Sequence, residues 1–164
     1  MIFFWIVTLG GSMLAASGYA NNKSSHAFSQ AKTTLASSLS AAREAMKISA
    51  ENISIAGTEA STPGGNPGSS QVVLYKPRQH KRNKALVMQT RNIQSKQPFE
   101  EVYNPHHPGA DPTTGRVKVS NTNLPLEVAS MQEKKIQYEA LVKMYENIRS
   151  MENMTIDMLK GTNS

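Results

Sequence analysis

Two histidines and one aspartate, His106, His107 and Asp111, lie close enough in the sequence to suggest metal ligands. Adjacent imidazoles in an extended segment point to different sides, and Pro105 and Pro108 restrict the backbone around them. No second histidine cluster and no cysteine completes a ligand shell. We therefore expect no metal ion and no other cofactor.

The sequence also lacks the patterns of common catalytic sites. It has no cysteine, which excludes thiol catalysis, disulfides and zinc-thiolate sites. A nucleophile elbow, a phosphate-binding loop and a persuasive pair of carboxylates are all absent. We predict that the protein is not an enzyme and has no small-molecule substrate.

A basic interval, residues 76–96, contains seven Lys or Arg and no acid, which exceeds the net charge of +6 of the whole chain. A nucleic-acid site would use such cations, but the only aromatic residue near the run is Tyr75. No helix-turn-helix or zinc pattern surrounds it. We expect no nucleic-acid partner. The alternatives are a solvated hairpin tip or a patch that faces an acidic partner or an anionic surface.

The elements that position these residues begin with a predicted long helix over residues 121–160. The 164-residue chain is 38% hydrophobic and 6% aromatic, which favours an elongated or assembled protein over a compact enzyme. Side chains suited to a helix start are Asn121, Thr122, Asn123 and Pro125. An apolar seam at spacings of three and four contains Leu141, Met144, Ile148, Met151, Thr155 and Met158. A second stripe contains Val128, Met131, Tyr138, Val142 and Tyr145.

A second predicted helix covers residues 28–57, with Ser29 suited to cap its start and Gly57 its end. Its heptad stripe contains Leu35, Leu39, Ala42, Met46, Ser49, Ile53 and Ala56. We predict an α+β fold in which the two long terminal helices pair as an antiparallel coiled-coil-like hairpin. The alternative is an ordinary amphipathic helix on a small domain.

Between the helices, residues 58–70 predict a flexible loop, because proline and glycine exclude helix and central strand there. Residues 71–120 predict a small, irregular β region with a basic hairpin. Its four candidate strands are residues 71–75, 85–88, 99–103 and 116–119.

Residues 1–25 predict an apolar extension that resembles a signal or an anchor. No charged residue occurs before Lys23, and cleavage after Ala20 would suit a secretory signal, although no basic residue precedes the apolar run. An uncleaved anchor and a start at Met13 are the alternatives. As a membrane span the segment is marginal.

Residues 103–123 resemble the FlgC family, the proximal-rod proteins of the bacterial flagellar basal body. The matching positions are Tyr103, Pro105, His107, Pro108, Ala110, Asp111, Gly115, Val117, Asn121 and Asn123. Asn52 and Ile53 are similar to the family's motif at the end of its first helix, and residues 138–140 to its Tyr-Glu-Ala. Ile55 stands at the position of the family's second asparagine, so we expect Gly57 or Thr58 to cap that helix instead. Arg116 replaces an aromatic residue of the family.

The resemblance implies a structural subunit of the flagellar rod, exported by the flagellar type III apparatus and located in the periplasm-spanning basal body. Its expected partners are other rod proteins, the export and ring components, and further copies of itself. The residues expected to pack between subunits are Leu35, Leu39, Met46, Ile53, Leu141, Met144, Ile148, Met151 and Met158. A cleaved signal on residues 1–25 would conflict with that export route. The alternative function is a periplasmic or envelope-anchored helical binding protein.

Overall fold

The computed structural model of the protein describes the backbone of residues 4–161 and the side chains of residues 23–161. Two long helices enclose two small antiparallel strand pairs in sequence order, and the predicted α+β class is confirmed. The elements are α1 (Phe4–Ile55), β1 (Gln71–Gln79), β2 (Leu86–Gln94), β3 (Glu100–Tyr103), β4 (Arg116–Val119) and α2 (Leu124–Gly161).

Helix α1 begins at Phe4, so the predicted start near Ser29 is wrong. No proline precedes residue 63, and the capping preference of one serine is too weak to end a helix by itself. The predicted signal or anchor in residues 1–25 depends on the uncharged side chains of residues 1–22, which lie outside the described part of the chain. Within the described part, no helix combines the length and the apolar character needed to cross a membrane.

The end of α1 lies where the sequence predicts it. Gly57 has a φ of 73°, the left-handed conformation that ends many helices. The backbone N–H and the hydroxyl of Thr58 both donate to the carbonyl oxygen of Ile55, at 3.1 and 2.7 Å. Gly57 and Thr58 thus share the capping role.

Strands β1 and β2 form a hairpin that is longer than predicted, with nine residues in each strand. Residues 76–79 pair within β1, so the basic interval is mainly strand and only residues 80–85 connect the strands. Pro77 pairs with Met88. A proline fits there because β1 has a single neighbouring strand and needs no donor on its other edge.

The hairpin lies along α1, with β2 next to the helix. The Asn83 side chain at the turn donates to the Thr33 hydroxyl at 2.8 Å. Farther along β2, the Met88 N–H donates to the Ser37 hydroxyl at 3.1 Å. Asn92 then donates to the Glu44 carboxylate at 2.7 Å. These contacts anchor one edge of the hairpin from its turn to Asn92.

Strands β3 and β4 form a second, separate pair, in which Glu100 pairs with Val119 and Tyr103 with Arg116. The other edge of β4 is covered by the segment after α1. The Ala60 N–H donates to the carbonyl oxygen of Lys118 at 3.0 Å, and the Ser120 N–H donates to that of Thr58 at 2.9 Å. The predicted flexible loop is therefore tied to β4 at its start.

The core is small and consists mainly of small side chains. Among the described residues, the buried apolar ones are Ala41, Ala45, Ile48, Ala60, Ala85 and Val117. Alanine allows two backbones to approach closely but contributes little buried apolar area. With so few large side chains buried, seventeen large apolar side chains of residues 23–161 remain exposed.

Candidate assembly surface and the loop that supports it

Three polar contacts between α1 and α2 involve residues 23–161, whose side chains the structure describes. The Lys32 ammonium lies 2.7 Å from the Glu152 carboxylate, and Lys134 donates to the buried Ser49 hydroxyl. The third contact joins Asn52 of α1 to the start of α2. The three contacts follow one another in opposite order along the two helices.

The stripe of α2 that faces α1 is defined by these contacts. Glu127 and Lys134 both hydrogen-bond to α1, and Leu141 and Ile148 follow at intervals of seven residues, which places all four on one side of the helix. Leu141 and Ile148 are half-buried. The α1 residues predicted for packing are also half-buried: Leu35, Leu39, Met46 and Ile53.

Three methionines of the predicted α2 seam lie elsewhere. Met144, Met151 and Met158 retain 54%, 54% and 71% of their accessible surface. They are offset by three residues from Leu141 and Ile148, a rotation of about 300° that places them beside the α1-facing stripe. We call these three residues the methionine stripe. The seam that appeared continuous in the sequence is therefore divided between a covered and an open side of α2.

Asn52 joins three elements at the end of α1. Only 2% of its surface is exposed. Its amide nitrogen donates to the carbonyl oxygen of Gln71 at 2.9 Å and to the Glu127 carboxylate at 3.0 Å, while its oxygen accepts from the Gln71 N–H at 2.8 Å. The start of β1 and the start of α2 are thereby fixed against the same side chain.

The two motif asparagines before α2 have distinct roles. Asn121 accepts from the Ser70 N–H at 2.9 Å and donates to the carbonyl oxygen of Gln97 at 2.7 Å, so it links the two strand pairs. Asn123 accepts from the Leu126 N–H at 3.1 Å and is the N-cap residue of α2. Helix α2 begins three residues later than predicted, because Asn121 bonds away from the helix.

The loop between β3 and β4 contains a turn at Asp111 and Gly115. The Gly115 N–H donates to the Asp111 carbonyl oxygen at 2.8 Å, and Gly115 has a φ of 64°. A Cβ at this glycine would lie 2.9 Å from the Tyr103 ring and 3.2 Å from Pro105, so both side chains pack across the turn. Val117, just after it, is 1% exposed and anchors β4 in the core.

The Asp111 carboxylate is the hydrogen-bond acceptor of this turn. Its Oδ1 accepts from the hydroxyl of Thr113, from the Thr113 N–H at 2.7 Å and from the Thr114 N–H at 3.3 Å. The Thr113 hydroxyl and then its N–H hold the pKa of Asp111 below its ordinary value, because these bonds favour the ionised form. The charge of Asp111 thus stabilises a turn.

The His107 side chain also connects two parts of the protein. Its Nε2 lies 3.0 Å from the Glu59 carboxylate, and its Nδ1 accepts from the Gly109 N–H at 3.0 Å. Both ring nitrogens are therefore used within the protein. No group of potential ligands suited to a metal ion occurs among the described residues.

Glu59, Gly109 and Lys134 are among the residues of this arrangement that the sequence analysis did not assign. Gly109 is buried, and a Cβ on it would lie 1.8 Å from the carbonyl oxygen of Ala60. Its position between Pro108 and Ala110 in the matching motif was a usable signal. Glu59 and Lys134 gave none, since each gains its role from a partner far away in the sequence.

The remaining motif residues line the same loop. The Ala110 N–H donates to the carbonyl oxygen of His107 at 3.0 Å, whereas Pro105 and Pro108 are exposed. The site as a whole is a set of backbone and side-chain connections that hold two strand pairs between two helices.

Two long helices that flank two small strand pairs define the architecture of this chain. No family model matches the chain. The flagellar basal-body rod protein FlgC of Agrobacterium fabrum (strain C58) is 30% identical to it over 118 residues, which cover 71% of this chain and 84% of the relative. The chain belongs to the FlgC family of flagellar basal-body rod proteins.

Proposed function

We propose that the protein is a non-enzymatic structural component of the flagellar basal-body rod, and that it transmits torque from motor to hook in flagellum-dependent motility. Membership of the FlgC family supports the rod assignment. By this proposal the protein is located in the periplasm-spanning rod and is exported by the type III apparatus. Its partners are other rod proteins, ring and export components, and further copies of itself.

The observation that carries the proposal is the division of the α2 seam. Leu141 and Ile148 belong to the stripe that meets α1 within the chain, whereas Met144, Met151 and Met158 are open. This apolar stripe is about 20 Å long, at 1.5 Å per residue. Its exposure to water is unfavourable, and its burial against another apolar surface is favourable. We propose that α1 and α2 form an antiparallel coiled-coil-like hairpin and that the methionine stripe packs against a neighbouring subunit.

The proposed mechanism distributes load over many contacts. Subunits packed along helices transmit torque through numerous apolar contacts in parallel, so no single bond carries the force. Methionine suits such contacts, because its flexible side chain can fit slightly different neighbours. The residues around Asn52 and residues 103–123 then serve to hold the strand pairs in place between the helices.

Fractionation tests this function. The full chain with an epitope tag is expressed in a flagellated host that lacks its own copy, and hook-basal-body particles are isolated in detergent. We expect the chain to co-purify with the particles and to restore swimming. Release with the periplasmic contents would instead support the envelope-anchored helical binding protein. Mass spectrometry of the mature amino terminus in the same sample tests whether residues 1–25 are removed.

A further inference from the structure

We propose that the β1–β2 hairpin, residues 71–94, is a docking arm for an acidic surface of a different protein. We call it the basic arm. Its exposed cations are Lys76, Arg78, Lys81, Arg82, Lys84 and Arg91. Among the described residues none of them forms an ion pair. This proposal is independent of the rod function and identifies the chemistry of one partner.

The charge distribution indicates that the partner is not another copy of this chain. Outside residues 76–96 the sequence has eleven Lys or Arg and twelve Asp or Glu, so the rest of the molecule is nearly neutral. On α2 the charges alternate in sign, as in the Lys135–Glu139 pair. A second copy therefore offers little net negative charge to neutralise the basic arm and brings a basic arm of its own.

The composition of the arm favours a protein over a lipid or a nucleic acid. Large apolar side chains are exposed beside the cations, with Leu74 at 48%, Tyr75 at 50% and Leu86 at 58%. Residues 80–85 at the tip contain no large apolar side chain that could enter a bilayer. A single aromatic residue is too little for stacking on bases. Apolar side chains surrounded by charged ones are typical of protein interfaces.

The arm is also held in position before any partner binds. Asn83 at its tip donates to Thr33, and Gln30 donates to the carbonyl oxygen of Asn83 at 2.7 Å. Lys84 adopts a φ of 58°, which is unusual for a residue with a side chain, and its neighbour Ala85 is buried. A pre-formed arm loses less conformational entropy on binding.

The first test measures binding of the purified full chain to immobilised poly-L-glutamate. The tip variant carries Lys81→Gln, Arg82→Gln and Lys84→Gln. The control carries Lys135→Gln, Lys143→Gln and Arg149→Gln, which removes the same charge from exposed positions of α2. We expect the tip variant to lose affinity by about tenfold at low salt and the control by less than about threefold. Equal losses would refute the proposal, because net charge alone would then explain binding.

The same comparison is made with phosphatidylglycerol vesicles and with duplex DNA. Tighter binding to vesicles would assign the arm to a membrane surface, and tighter binding to DNA would assign it to nucleic acid; either result overturns the proposal. We expect poly-L-glutamate to bind most tightly.

A photo-crosslinking amino acid at Leu86 tests the arm in the cell. We expect the crosslinked peptide, sequenced by mass spectrometry, to come from a different protein and to be rich in Asp and Glu. Crosslinks to lipid or to a second copy of this chain would overturn the proposal. Fractionation decides the rod function separately, so failure of one proposal is distinguishable from failure of the other.

Discussion

Asn52 and Gln71 form a closed pair of hydrogen bonds, in which the side-chain amide of one residue matches the backbone amide of the other at 2.9 and 2.8 Å. The Asn52 side chain thus bonds to the backbone at the start of β1 in the way that a neighbouring strand would. It explains how a hairpin with little apolar burial keeps a fixed position beside α1. The same Asn52 amide reaches Glu127, so one buried group determines the relative position of three elements.

Replacing Asn52 with alanine should therefore lower the free energy of unfolding by about 1–3 kcal/mol, because half-buried polar groups of Gln71 and Glu127 lose their partner. Urea denaturation of the purified chain, followed by circular dichroism, measures this loss. Asn147→Ala, at an exposed position of α2, is the matched control and should change stability by less than about 0.5 kcal/mol. Equal stability of the two variants would contradict the role given to Asn52.

Gly109 is predicted to tolerate no side chain. Its substitution by alanine places a methyl group against the carbonyl oxygen of Ala60, which belongs to the backbone and cannot rotate away. We expect Gly109→Ala to destabilise the protein by about 1–3 kcal/mol, as overpacking usually does. Gly161→Ala, with no atom near the added methyl group, should leave the midpoint of thermal unfolding unchanged. A wild-type midpoint for Gly109→Ala would show that Gly109 does not lie against the Ala60 backbone.

The Asp111 turn predicts a specific dependence of stability on pH. The pKa of Asp111 is lowered in the folded state, so its contribution is present above the ordinary carboxyl pKa and is lost as the pH falls through the folded value. Between about pH 5 and pH 2, the wild-type protein should lose more stability than Asp111→Asn. Denaturation at several pH values measures the difference. Asp157→Asn, at an exposed position of α2, should keep the wild-type slope; a slope shared by all three proteins would contradict the prediction.

The methionine stripe predicts a defect in assembly without a defect in folding. Met151→Glu puts a charge on a surface that is exposed in the single chain, so its free energy of unfolding should change by less than about 0.5 kcal/mol. Burial of that charge between subunits should abolish incorporation into the rod. Asn153→Glu adds the same charge on another side of α2 and should assemble normally. Normal swimming of the Met151→Glu strain would exclude this stripe from the interface.

Several parts of the molecule were predictable from short stretches of sequence. Of the three asparagine and threonine side chains predicted to suit the start of α2, Asn123 is the N-cap residue, and the predicted role of Gly57 at the end of α1 is confirmed. Each depends on the φ preference of one residue or on a hydrogen bond that spans a few positions. The start of α1 was not predictable in this way, because Ser29 also fits inside a helix.

The tertiary structure alone decided which side of α2 meets α1. A spacing of three and four residues produces two neighbouring apolar stripes, and nothing local distinguishes Leu141 and Ile148 from Met144 and Met151. The choice comes from distant partners, such as Ser49 for Lys134. Asn52, in contrast, was recognisable as a motif residue, but its bonds to Gln71 and Glu127 exist only once separate segments pack together. The sequence determined where helices end and turns form, since those energies are local; the fold determined which surfaces are covered, since burial depends on the whole chain.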